Sequence, residues 1–315
     1  TPRGTVGPEW YLHEIIQHAK LLIMSIEAKV LGQQVAYPTN YCPSILVPVP
    51  RYLNREIYDI HAPEELFQGY DTWHAYEAGF LTRNGLPVCG VLKLVYPASS
   101  PCIVESKSLK LYLNSLNMTR LGEDIPSGIE TYLQTIKSDL EQILQTRVET
   151  TFFQRAPEKL YFDFQNYTLL EATPGIERET FTEYTETPTL LLENQTIGSG
   201  EIKVCSHLLR SNCKITKQPD WGSIYIHMQA DHLPDQFSLL KYIVSLRNEN
   251  HFHEEICEMT YKRLNDLFHP EILAVSCIYT RRGGIDICPS RANKAEYLPK
   301  YLHTSETLTQ KLVRQ

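Results

Sequence analysis

The sequence predicts an α+β fold built from two copies of one antiparallel unit, with helices laid on one sheet face. Three observations predict it. Asn84-Gly85 stands between two aromatic and β-branched runs, a strong hairpin signal. Ile129, Leu133, Ile136, Leu140 and Ile143 recur at helical spacing along one stripe. The order strand, strand, helix, helix, strand, strand is then legible twice, once on each side of an irregular stretch near residues 168–200.

Taken in order, "DTWHAYEAGFLT" (71–82) and "PVCGVLKLVYP" (87–97) are the first two strands. "ESKSLKLYLNSLN" follows as a helix, with Leu109, Leu113 and Leu116 on one side. Ser127 and Glu130 read as the S-x-x-E capping box of the next helix. "VETTFFQ" (148–154) and "KLYFDFQ" (159–165) alternate as strands. Beyond the Thr- and Glu-rich connection, "EIKVCSHLLR" and "GSIYIHMQA" alternate again. A helix from about 235 and another carrying Cys257, Tyr261, Leu264 and Phe268 come next. "ILAVSCIYT" and "GIDIC" form a last hairpin across Arg281-Arg282-Gly283-Gly284. The expected organisation is a first module over 24–170, a connection over 171–200 and a second module over 201–315. Residues 1–23, ahead of Met24, read either as an extension foreign to the native chain or as an amphipathic helix packed on the body.

Composition narrows the function classes. A chain of 315 residues that is 42% hydrophobic and 21% charged can bury a sizeable core. Its net charge of -7 argues against a groove that tracks a phosphate backbone, so no direct nucleic-acid partner is expected. No run is apolar enough to span a bilayer. The eight cysteines form no CxxC pair and follow no secretory leader, so a reduced, cytoplasmic chain is expected.

Four stretches carry candidate chemistry. In "SNCKITKQPDWGS", Cys213 stands in a polar setting seven residues before Asp220. A thiolate there is a nucleophile, helped by Lys214, and a partly buried Asp220 is a general acid. On spacing alone the plainer reading, an unreactive loop thiol and a turn-forming aspartate, stays ahead. In "HFHEEICEM", His251, His253 and Glu254 open a helix beside Phe252 and suit a flat heterocycle, although a solvated helix start explains them as well. Without CxxC or HExxH, no metal site is expected. "ESKSLKLY" places Glu105, Ser106, Lys107, Ser108 and Lys110 at a helix start, where anions such as phosphate are favoured; a charged cap is the alternative. "TRRGG" sets Arg281 and Arg282 on a glycine turn that is also readable as a bare hairpin tip. There is no GxGxxG, so any nicotinamide cofactor is held without a Rossmann unit.

Together, "ESKSLKLYLNSLN", "SNCKITKQPDWGS", "FHE" and "YTRRGGIDI" closely resemble the NADPH-dependent 7-cyano-7-deazaguanine reductases, the QueF family, in its long two-module form. The similarity spans roughly residues 30–315. The resemblance implies tandem tunnelling-fold units, a homodimer, NADPH as cofactor and a small deazapurine substrate. It implies reduction of a nitrile to a primary amine through a covalent Cys thioimide, on the path to queuosine. By motif position Cys213 is the nucleophile, Asp220 the proton donor and His253 the histidine beside the substrate. Val104, Glu105, Ser106, His253 and Glu254 fall at substrate positions, and Ser106, Lys107, Arg282 and Gly283 at NADPH positions. Two departures stand out: Lys214 follows the nucleophile where an apolar residue or proline is expected, and "CPSR" follows "RRGGIDI" where Asn and an aromatic are more usual. A zinc-dependent tunnelling-fold hydrolase and a non-catalytic purine- or tRNA-binding module are the competing readings.

Overall fold

The computed structural model describes residues 38–196 and 198–315, so the expected extension over 1–23 lies outside it. Nine strands make one sheet: β1 (Gln68–Leu81), β2 (Pro87–Pro97), β3 (Glu149–Phe153), β4 (Thr168–Leu169), β5 (Gly200–Cys213), β6 (Pro219–Ala230), β7 (Asn250–His251), β8 (Ile272–Tyr279) and β9 (Ile285–Ala292). The main helices are α1 (Ser106–Leu116), α2 (Ile125–Leu144), α3 (Gln236–Ser245) and α4 (His253–Phe268). Across the sheet the order is β3-β2-β1-β9-β8-β6-β5-β4, with β7 also paired to β5. The long strands pair antiparallel, and the halves of the chain meet where β1 runs against β9.

Side-chain alternation decides where the helices sit. Trp73 and Ala75 of β1, Ile287 of β9, and Val275 and Cys277 of β8 share one face through their cross-strand registers. Leu109 and Tyr112 of α1 and Tyr132, Ile136 and Leu140 of α2 bury against the first part of that face. Leu239 and Ile243 of α3 and Ile256 and Leu264 of α4 bury against Ile224, Ile226 and Val275 in the second. Each such side chain stabilises the fold by about 1.5–3 kcal/mol on leaving water, more than a helix cap contributes. The antiparallel sheet with helices on one face therefore stands as the sequence predicts. The Asn84-Gly85 hairpin stands too, with Gly85 at a φ of 86° that suits glycine.

Two expectations fail locally. Residues 159–165 are not a strand. Phe164 stacks on Tyr225 at 4.0 Å on the face away from the helices. The Asp163 carboxylate accepts from the backbone N–H groups of Tyr301 and Leu302 at 3.0 and 2.9 Å. Packing against the reverse of the sheet overrides the alternation of "KLYFDFQ". The cap of α2 is Asp124, not Ser127. Pro126 fits the first helical turn, so the helix starts earlier, and the Asp124 carboxylate accepts from Ser127 N–H at 2.9 Å.

Candidate active site

Cys213 is not in an exposed loop. β5 runs three residues further than the alternation in "EIKVCSHLLR" indicates, because Ser211 pairs with Asp220 and Asn212 with Pro219 across the hairpin. Cys213 ends β5 on the face that the helices cover and is 7% exposed. Its N–H donates to the Gln218 carbonyl at 2.8 Å, and Lys217, at a φ of 58°, donates back to the Cys213 carbonyl at 3.0 Å. This tight turn explains the seven-residue spacing: it returns Asp220 to the same face, beside the thiol.

Burial by itself would raise the Cys213 thiol. The Thr216 hydroxyl and N–H, the Arg282 guanidinium and the Ile215 N–H outweigh it and hold the thiol below its ordinary range. The expected helper, Lys214, points elsewhere: its ammonium lies 3.0 Å from a Glu255 carboxylate oxygen.

Asp220 is buried between two partners. Arg282 Nη1 lies 2.9 Å from Oδ1, and His253 Nε2 lies 3.3 Å from Oδ2. The Gly283-Gly284 turn, with φ of 59° and 74°, aims Arg282 into this position. Arg281 goes the other way, over the Tyr76 ring at 4.1 Å. His253, the first residue of α4, stacks on Tyr279 with ring centroids 3.9 Å apart. Neither contact to Asp220 has hydrogen-bond alignment, and His253 Nε2, Arg282 Nη1 and Glu254 Oε1 are all buried without a hydrogen-bond partner. Such an atom costs about 1–3 kcal/mol, so three of them on residues lining one hollow fit a site that keeps them for a ligand.

Glu254 is 3% exposed, and burial first, then the Asp71 charge, push its carboxyl up to about 8. Behind it lies a buried charge cluster. Arg291 reaches Asp71 at 2.9 Å and Glu258 at 2.8 Å, and Arg51 and Arg55 complete it from a short helical turn before β1. Glu258 stands one turn along α4 from Glu254, so the cluster also fixes that helix against the sheet.

One hollow gathers Cys213, Asp220, His253, Glu254 and Arg282 with Val104 and Ser106. Trp73, His251, Phe252 and Ile287 complete its wall. Glu105, Lys107 and Gly283 do not line it. The Glu105 carboxylate caps its own helix, accepting from the N–H groups of Lys107 at 2.9 Å and Ser108 at 2.6 Å. Burial raises that carboxyl above its ordinary range against those two bonds. Of the N–H groups that open α1, those of Lys107 and Ser108 are thus already held by a side-chain carboxylate, which is the charged-cap alternative. Sequence reasoning missed one contributor, Thr216, and placed Lys110 only at the start of α1. Thr216 acts on the thiol, and its signal was only a hydroxyl three residues after a cysteine. Lys110 lies among Arg282, Glu105 and Asp220, with its ammonium pushed down by burial and by Arg282.

Cys288, the first residue of the departing "CPSR", is buried on the reverse face with Phe164 and Tyr225. It stands there with His74 and Asp286, a group whose donor atoms could gather around a metal ion. The Asp286 carboxylate is already met by His74 Nδ1 at 2.6 Å, the Tyr76 hydroxyl at 2.6 Å and Lys311 Nζ at 3.1 Å. A larger hollow of about 710 Å³ opens on that reverse face beside Tyr161, His227 and Tyr297 and holds none of the predicted site residues.

A thiol held below its ordinary range, a carboxyl and an imidazole thus line one hollow on an antiparallel α+β sheet, a donor set of the kind nucleophilic catalysis uses. Comparison with known proteins narrows this. The family described as "Nitrile reductase, 7-cyano-7-deazaguanine-reductase N-term" matches residues 37–152, and "QueF-like protein" matches 219–297. Cys213 lies just ahead of the second span. A protein of Acinetobacter baumannii (strain ACICU) named "NADPH-dependent 7-cyano-7-deazaguanine reductase" is 38% identical over 283 residues, 88% of this chain and 97% of its own. Proteins of the same name from Psychrobacter cryohalolentis and Acinetobacter baylyi are 38% and 34% identical over the same shares of each chain. Among solved structures, the apo form of the archaeosine synthase QueF-Like aligns over 32% of this chain and 98% of its own, with a TM-score of 0.27 and 15% identity. The chain belongs to the NADPH-dependent 7-cyano-7-deazaguanine reductases, the QueF family.

Proposed function

We propose that this enzyme reduces the nitrile of 7-cyano-7-deazaguanine to the aminomethyl group with NADPH, through a thioimide on Cys213, for queuosine synthesis. The observation that carries the reading is a thiol held below its ordinary range beside Asp220, in the hollow that also holds His253 and Glu254. In the first step a Cys213 sulfur–carbon bond forms, one C≡N π bond breaks, and nitrogen takes a proton from the Asp220 carboxyl. His253, 3.3 Å from Asp220, returns that proton. When a later tetrahedral adduct collapses, the carbon–sulfur bond breaks and the thiolate falls back onto the Thr216 and Ile215 N–H groups. Glu254 receives the N1–H and amine edge of the base. NADPH, when bound, supplies the two hydrides. The donor set fits it: the Arg282 side chain is partly exposed beside the hollow, its Nη1 without an aligned hydrogen bond, and Ser106 lines the same hollow. With the N–H groups of Lys107 and Ser108 taken, the side chains of Ser106, Lys107 and Arg282 would carry its phosphates, near Gly283.

The same reading carries tandem tunnelling-fold modules over 24–170 and 201–315, joined by 171–200, in a cytoplasmic homodimer. Glu105, placed at the substrate by motif position, acts through its cap: it sets the first turn of α1 and thus Ser106. The test is adduct formation. The chain mixed with the nitrile and no NADPH is expected to gain the mass of one substrate and a new near-ultraviolet band. Two NADPH are then consumed per amine. No adduct in the unaltered chain, or an adduct that persists in Cys213→Ala, refutes the assignment.

A further inference from the structure

Separate elements of the site meet at Glu255, a residue the chemistry above does not use. Glu255 is buried. Oε1 lies 3.0 Å from Lys214 Nζ, in the turn that follows the nucleophile. Oε2 lies 3.0 Å from His251 Nδ1 on β7 and accepts from the Phe252 N–H at 3.2 Å, at the start of α4. β7 in turn pairs with β5 so that His251 stands opposite Cys213. The other nitrogen of His251 faces the Tyr58 hydroxyl at 2.9 Å and Glu249 at 3.2 Å. Burial would keep the Glu255 carboxyl neutral, but Lys214 first and then His251 bring it below its ordinary range.

We propose that the Lys214–Glu255 ion pair is a tether that fixes the turn bearing Cys213 to the first turn of α4, which bears His253 and Glu254. Lys214 and Glu255 are thus positioning residues; the inference rests on the reading of Cys213 as the nucleophile. The two-residue backbone pair of β5 with β7, the contact of His253 with Asp220 and Lys214 Nζ over the Phe252 ring at 5.6 Å also link this hairpin to the start of α4. The ion pair adds a side-chain link whose partners are both largely out of water, with side chains 14% and 8% exposed. Removing Glu255 strands the Lys214 charge, and removing Lys214 leaves Glu255 held by His251 and the Phe252 N–H on the α4 side, so the turn is expected to leave its place in either case. A nucleophile moved by about 1 Å loses on the order of 100-fold in rate.

The experiment compares Lys214→Met, Glu255→Gln, the double variant and Lys214→Arg in two measurements. In the protein without ligand, amide hydrogen exchange over residues 214–218 is expected to be several-fold faster in each single variant. The double variant should be no faster, and Lys214→Arg should stay near the unaltered chain. With saturating nitrile and no NADPH, thioimide formation is expected to slow about 10- to 100-fold in both single variants. Nitrile affinity, measured in a Cys213→Ala background, should change by less than about threefold. Lys214→Met leaves the cap of α4 in place, so it decides the matter if Glu255→Gln does not fold. Exchange at the unaltered rate in Lys214→Met, additive losses in the double variant, or rate and affinity falling together would each overturn the tether. An unaltered chain that forms no adduct instead refutes the nucleophile, and the exchange comparison still decides the tether.

Discussion

Substrate binding should grow stronger as pH rises, because Glu254 must lose a proton to do its work. The base edge offers two donors, and only an ionised carboxyl accepts both. With its carboxyl up to about 8, Glu254 is mostly protonated in the free protein at neutral pH. About one molecule in ten is then in the accepting form at pH 7, and the observed affinity lies about tenfold, or ~1.4 kcal/mol, below its limit. From pH 6 to 7 affinity should rise about tenfold, levelling above about 8.5, with about 0.9 proton released per substrate at pH 7 and about 0.1 at pH 9. Titration calorimetry on Cys213→Ala, which stops the covalent step, in two buffers of different ionisation enthalpy measures both quantities. Glu254→Gln should bind weakly and without the slope. Affinity that is flat between pH 6 and 9, or proton uptake on binding, would refute the reasoning.

Replacing Thr216 by Val removes the first-ranked support of the thiolate, so the pH midpoint for iodoacetamide alkylation of Cys213, followed by peptide mass, should move up. An unchanged midpoint counts against the turn as the stabilising element. Glu258 is held at about 2 against its own burial by Arg291 and Arg55, so its stabilisation is present above about 4.5 and is lost as pH falls toward 2. Glu258→Gln should cost about 3–5 kcal/mol at neutral pH and flatten the fall in Tm between pH 4.5 and 2. Glu254 has the opposite sign: the protonated carboxyl's contribution is full below about 4.5 and is lost as pH rises through about 8. Glu254→Gln should therefore raise Tm at pH 9 while weakening substrate binding, and a lower Tm there would contradict that sign.

Most of the fold is written in short-range patterns. The Asn84-Gly85 hairpin and the Leu and Ile stripes of α1 and α2 each depend on residues close in sequence, so periodicity finds them. Residues 159–165 show where that ends. Their alternation is as good as that of "VETTFFQ", but their partners are Tyr225, Tyr301 and Leu302, and no local pattern announces contacts so distant. The exposure of Cys213 was misjudged for a related reason. Polar neighbours in sequence describe the turn, whereas burial depends on which face of β5 the thiol occupies and on the helix covering that face.

The same division runs through the site. Cys213 and Asp220 were legible as neighbours, because one hairpin holds both and a five-residue turn between paired strands must bring its flanks together. What tunes them comes from elsewhere. Arg282 arrives from the β8–β9 turn and His253 from α4, while Glu254 is set by its burial and then by Asp71 on β1. Lys214 is the sharpest case. Next to the nucleophile in sequence, it invites the reading that its charge steadies the thiolate. In the fold its four-carbon stem carries the ammonium to Glu255 instead, and neutral hydrogen-bond donors of the turn, with Arg282, take over that work. A thiolate held by backbone N–H groups and a hydroxyl remains tied to its turn through each cycle of attack and release, whereas a free lysine would be drawn to either carboxyl in the hollow. Pairing Lys214 with Glu255 keeps a mobile cation from neutralising Asp220, which the proposed reaction needs in two protonation states, or from occupying Glu254, which it needs free to accept the base edge.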